Sequence, residues 1–123
     1  MKTNQLQLVT YEQAKKLKEL GFDWELNRYY WDFEHSEPQL RYGMETNWND
    51  TIAKKYSAPT IALALKWFRD VKKIENEVTI VKFSPKKYRG KFYTSDDDFN
   101  TKLFETHEQA ESALLDELLT ILN

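Results

Sequence analysis

The stretch "SAPTIALALKWFRDVKK" at residues 57–73 divides the chain and decides how the rest is read. Ile61, Ala64, Leu65, Phe68 and Val71 recur at helical spacing and mark a continuous inner face. Pro59, with its fixed φ, suits a first helical turn, and Lys72 and Lys73 suit a C-terminal end, where the helix dipole favours cations. A helix here separates two extended regions. Upstream, Trp24, Leu26, Arg28 and Tyr30 point one way on an extended chain while Glu25, Asn27, Tyr29 and Trp31 point the other, which predicts a strand over about 24–33. "HSEPQ" at 35–39 reads as a turn, and Leu40, Tyr42 and Met44 alternate with Arg41, Gly43 and Glu45 as the return strand. "NWND" at 47–50 reads as loop, and 51–56 stays open between loop and a short helical turn. Downstream, "EVTIVKF" at 77–83 and "KFYTS" at 91–95 predict a second hairpin across "SPKKYRG" at 84–90, ended by "DDD" at 96–98.

Further out, one folding signal is used twice. "TYEQA" at 10–14 returns as "THEQA" at 106–110. In each copy a Thr stands at a helix N-cap, and a Gln three residues on can reach back to the Thr backbone N–H, forming a capping box. Ala14, Leu17 and Leu20 then follow at helical spacing until Gly21, where Phe22 can fold back on Leu17 in a Schellman end. In the second copy Ala110, Ala113, Leu114, Leu118 and Ile121 form an apolar stripe that Leu115, Leu119 and Leu122 widen, as expected of a deeply embedded terminal helix. The predicted fold is α+β, in the order α-ββ-α-ββ-α. It comprises an antiparallel sheet of about four strands in two hairpins, covered by three helices on one face. No linker divides residues 1–123, so a single domain is expected, and the alternation of elements could hide a pseudo-duplication.

Composition bounds the function. A chain of 123 residues is long enough for one core. It has no cysteine, which excludes disulfides and thiolate metal sites and suits a reducing cytosol. The start "MKTNQLQLVT" lacks the apolar core of a signal peptide, and the longest apolar run, "IALAL" at 61–65, is far too short to span a bilayer. A cytoplasmic location without membrane insertion is therefore expected. The net charge of −2 provides no global field favouring nucleic acid, so any such partner must be sought locally.

Three stretches, "VTYEQAKKLKELGFD", "SAPTIALALKWFRDV" and "FETHEQAESALLDELLTIL", together resemble a family of small phage and prophage proteins of the Bacteroidetes type. The resemblance covers both ends and the centre. It implies a mobile-element context and a compact fold, and it transfers no catalytic residue.

The chemistry-bearing residues read mostly as structure. His107 and Glu108 are adjacent on a helix, about 100° apart, and do not face each other. His35, between Glu34 and Glu37 in a predicted turn, has no second histidine at metal-ligand spacing. "DDD" at 96–98 lacks the ligand spacing of a calcium loop, no G-x-S-x-G occurs, and three glycines cannot build a phosphate-cradling loop. No catalytic residue, metal site or cofactor is expected. Two interaction surfaces are. The aromatic segment from Phe22 to Trp48 has too many rings for one face of a short hairpin, so Tyr29, Trp31, Tyr42 and Trp48 are the candidates for binding a protein partner or for self-association. The alternative is "KFSPKKYRGK" at 82–91, a basic hairpin in which Lys86, Lys87, Tyr88 and Arg89 would track a nucleic-acid backbone. The expected function is that of a non-enzymatic accessory protein acting by binding.

Overall fold

The structure, a computed structural model, describes residues 7–34, 36–51 and 54–122. Among the described residues, three helices alternate with two three-stranded antiparallel sheets in an α+β fold. Helix α1 (Tyr11–Glu19) precedes strands β1 (Leu26–Trp31), β2 (Gln39–Thr46) and β3 (Lys55–Ser57). Helix α2 (Ile61–Asp70) precedes β4 (Glu75–Phe83), β5 (Lys86–Tyr93) and β6 (Asp98–Asn100), and α3 (His107–Leu122) closes the described chain. The two expected hairpins do not join into one sheet of about four strands; they lie in separate sheets, and each sheet has one strand more than its expected hairpin. Strand β3 pairs with β1 through Tyr29–Ser57, Tyr30–Tyr56 and Trp31–Lys55, and β6 pairs with β5 through Lys91–Asn100, Phe92–Phe99 and Tyr93–Asp98. Three residues are too few to display alternation, and Asp98 has low strand propensity. Phe99 supplies the compensating contact, lying on Phe92 with ring centroids 4.7 Å apart.

Both capping boxes form. The Thr10 N–H donates to Gln13 Oε1 (2.9 Å) while Gln13 N–H donates to Thr10 Oγ1 (3.1 Å), and Thr106 with Gln109 repeats the exchange at 3.2 and 3.1 Å. At the end of α1, Gly21 takes a φ of 93°, Phe22 N–H donates to Leu17 O and Gly21 N–H to Lys18 O, a Schellman motif. The central helix starts slightly later than expected. Thr60, not Pro59, sits at its boundary, and its side chain accepts from Leu63 N–H. Val71 is its C-cap and is 46% exposed, whereas Trp67 takes a buried place on the inner side. In α3, Ile121 and Leu122 lie beyond the packed turns and are exposed.

The core joins Leu17, Phe22, Leu26, Ile61, Leu65, Trp67, Phe68, Phe92, Leu114 and Leu118 from both halves. Helix α3 lies on β5 and β4, α1 on β3, and α2 on β4, with α3 touching both other helices. Although the element order αβββ occurs twice, the pairing does not repeat. The first sheet runs β2-β1-β3 and the second β4-β5-β6, so its middle strand is the first in one and the second in the other. This argues against a duplicated unit.

Candidate functional site

Strand alternation sorts the aromatic segment onto two sides of the first sheet. Residues directly opposite in an antiparallel ladder share a face. Tyr29 stands opposite Arg41 and Ser57, and Trp31 opposite Gln39 and Lys55, while Tyr30 stands opposite Leu40 and Tyr56. The Tyr30 face meets the helices: Tyr11 of α1 packs edge-on against Tyr30 (5.9 Å) and Tyr56 (5.6 Å), Tyr30 Oη donates to Val9 O at 2.7 Å, and Tyr11 Oη donates to Asp32 Oδ2 at 2.9 Å. Burial and then the Asp32 hydrogen bond push the Tyr11 phenol well above its ordinary range, and burial raises that of Tyr30.

The other face carries the candidate site. Trp48, from the loop after β2, stacks on Tyr29 with centroids 4.1 Å apart and planes 27° from parallel, and its Nε1 donates to Leu26 O at 2.7 Å. Asn49 beside it donates to Phe22 O and accepts from Ser57 N–H, so "NWND" is a loop that clamps the sheet. Gly43 makes room for this arrangement, because a Cβ there would stand 2.8 Å from the Trp48 ring. Further along the face, Trp31 lies against Phe33 at 4.5 Å, with the Arg41 guanidinium over both rings at 5.0 and 5.4 Å. Lys55 Nζ lies between the two aromatic pairs, 5.4 Å from Tyr29, 5.6 Å from Trp31 and 5.5 Å from Trp48. The result is an aromatic cluster, reaching the surface, with two cations across it.

The four aromatic candidates therefore have different positions. Trp31 and Trp48 are part-exposed on this face, Tyr29 is only 8% exposed beneath Trp48, and Tyr42 is on the opposite side, across from Arg28, with 69% exposure. Phe33, Arg41 and Lys55 belong to the cluster and were not singled out from the sequence. A register centred on Glu37, the middle of the expected turn, would pair Arg41 with Phe33 and Tyr29 with Glu45; the observed ladder is centred two residues earlier and sets Arg41 opposite Tyr29.

The basic stretch is not a loop. Only Ser84 and Pro85 turn the chain, and Lys86 to Gly90 are paired to β4. Alternation then separates the expected groups. Tyr88 shares the helix-facing side with Gly90 and meets His107 edge-on at 5.9 Å, while Arg89, its neighbour, stands on the opposite face, half-buried, with its Nε enclosed and without a hydrogen-bond partner among the described residues. Lys87 Nζ lies 3.6 Å from Glu105. Lys86 is exposed at the turn. A continuous nucleic-acid track with Tyr88 as its stacking platform is thus not assembled on one face.

His107 Nδ1 faces Glu111, one turn along at 3.5 Å, rather than Glu108, and His35 lies outside the described residues. Among the described residues no three His, Asp or Glu side chains are placed to hold one metal ion, and no helix is long and apolar enough to cross a membrane. No protein-family model, curated protein or solved structure matches this chain.

Proposed function

We propose that this chain is a small accessory protein of a mobile element that acts by binding another protein, not by catalysis, through the aromatic and cationic face of its first sheet. One observation carries the reading: Arg41 and Lys55 lie over the rings of Trp31, Phe33 and Trp48 at a part-exposed surface. Arg, Trp and Tyr are the residues from which interface hot spots are built, and a cation held over a ring is positioned to meet a carboxylate without a large ordering cost. The partner surface that fits is apolar and acidic. Tyr29 and Gly43 hold the platform from beneath. The mobile-element context rests on the resemblance of the three sequence stretches.

The test is affinity capture from host lysate with the tagged protein and with the doubly substituted Trp31→Ser/Arg41→Glu variant, each with and without nuclease. A protein retained by the wild type in both conditions and lost by the variant is the expected result. Equal retention by the variant rejects the face, and loss of all captured material after nuclease transfers the reading to nucleic acid.

A further inference from the structure

Two surfaces outside the aromatic face complement each other. Between the start of β1 and helix α2 runs an open groove of about 730 Å³, within the range of about 300–1,000 Å³ common for occupied clefts. Trp24, Leu63 and Val71 form its apolar walls and Asp23, Glu25 and Glu45 its rim; the cation beside it, Lys66, which lies 5.9 Å over the Trp24 ring, is paired with Asp70. At the far end of β4 the hairpin turn presents the opposite character. Phe83 is 74% exposed, Val81 beside it is also exposed, and Lys82 and Lys86 flank them in the open. From Val78 to Ser95 the chain has no acidic residue. An apolar knob with a basic collar thus stands on a molecule that also carries an apolar groove with an acidic rim.

We infer that the hairpin tip of one copy docks in the groove of a second copy. The tip does not occupy its own groove, none of whose lining residues comes from the hairpin. Strand β4 packs along α2 near Asn76 and then carries Phe83 eight residue steps from Glu75, about 26 Å of strand at the ordinary rise, to a tip where Phe83 stands 74% exposed. Phe83 enters between Leu63 and Val71, and Lys82 and Lys86 meet Glu25 and Glu45. Because the two surfaces differ, the contact is heterologous, and copies join head to tail unless the rotation between them closes a ring. One knob in one groove buries less than the roughly 1,200 Å² of a stable interface, so association is concentration-dependent, and salt weakens its charged collar.

The test is sedimentation velocity over a concentration series at low and high salt. The wild type is expected to sediment faster as concentration rises and to return toward the monomer value in high salt. Phe83→Ser, the tip variant Lys82→Glu/Lys86→Glu and the groove variant Glu25→Lys/Glu45→Lys should each stay monomeric alone while retaining the wild-type circular dichroism spectrum. Mixing the tip and groove variants should restore association, because each supplies the charges that complement the other. A wild type that remains monomeric into the millimolar range overturns the inference, as does association that survives these substitutions or a mixture that fails to associate. All these variants leave Trp31 and Arg41 in place, so the outcome is independent of the aromatic-face reading.

Discussion

Gly90 sets how closely the last helix approaches its sheet. A Cβ at this position would stand 2.8 Å from Leu114 Cβ and 3.3 Å from Ala110 O, and neither atom is the free end of a flexible side chain. Gly90→Ala is therefore expected to cost about 1–3 kcal/mol, read as a lower urea midpoint. At Gly43 the obstacle is the Trp48 ring, which can swing, so Gly43→Ala should cost less but lift Trp48 from Tyr29 and red-shift the tryptophan emission. Unchanged emission would show that the stack tolerates a methyl group beneath it. Tyr11 supplies a pH signature. Its raised folded-state value means that the protonated phenol is favoured by folding, so the contribution is intact below the unfolded value of about 10 and is lost as pH climbs above it. Thermal midpoints should be level between about pH 7 and 9 and fall above about pH 10, and Tyr11→Phe should reduce that alkaline fall, with Tyr30 supplying part of what remains; an equal fall in the variant would show that Tyr11 contributes nothing to it. None of these contacts is visible to a residue-by-residue reading. Gly43 reads as one position of a strand's alternation and Gly90 as the end of a turn until the ring and the helix above them are known.

At the scale of elements, the two capping boxes were legible because all their parts lie within four residues, yet they do unequal work. Gln13 Nε2 also donates to Asp116 Oδ1 at 2.9 Å and Ser112 Oγ at 3.3 Å, joining α1 to α3 from a buried position, whereas Gln109 is exposed. Thr10→Ala and Thr106→Ala should each cost about 0.5–2 kcal/mol. Gln13→Ala should exceed Gln109→Ala by about 0.5–1.5 kcal/mol for each bond to α3 it removes, because Ser112 and Asp116 are not buried and water can replace the lost donor. Equal losses in denaturant unfolding would show that the tie between α1 and α3 is negligible. The short strands were not legible for a different reason. β3 is held by its ladder to β1 and β6 by Phe99 on Phe92, so their conformation is dictated by partners distant in sequence. The segment 86–90 illustrates the same override, since its lysines and arginine suggest a solvated loop while pairing to β4 keeps it extended.

Across the whole molecule, the distribution of edges and centres predicts where it opens. β5 is bonded on both sides and covered by α3, while every residue of β2 from Gln39 to Glu45 is exposed on a sheet edge. Hydrogen exchange should find amides of β5 among the slowest and those of β2 among the fastest of the strands, and the reverse order would contradict the packing described here. The alternating helices and extended segments, the two capped helix starts, the Schellman end and the class α+β were determined by sequence alone, because capping, periodicity and propensity act over a few neighbouring residues. The third strand of each sheet, the split of the aromatics between a helix-packed and an outward face, and the position of Arg41 and Lys55 over the outer rings were decided only by the tertiary structure. A strand's neighbours and the side to which its residues turn depend on register between distant segments, and that register is selected by the packing of the whole core.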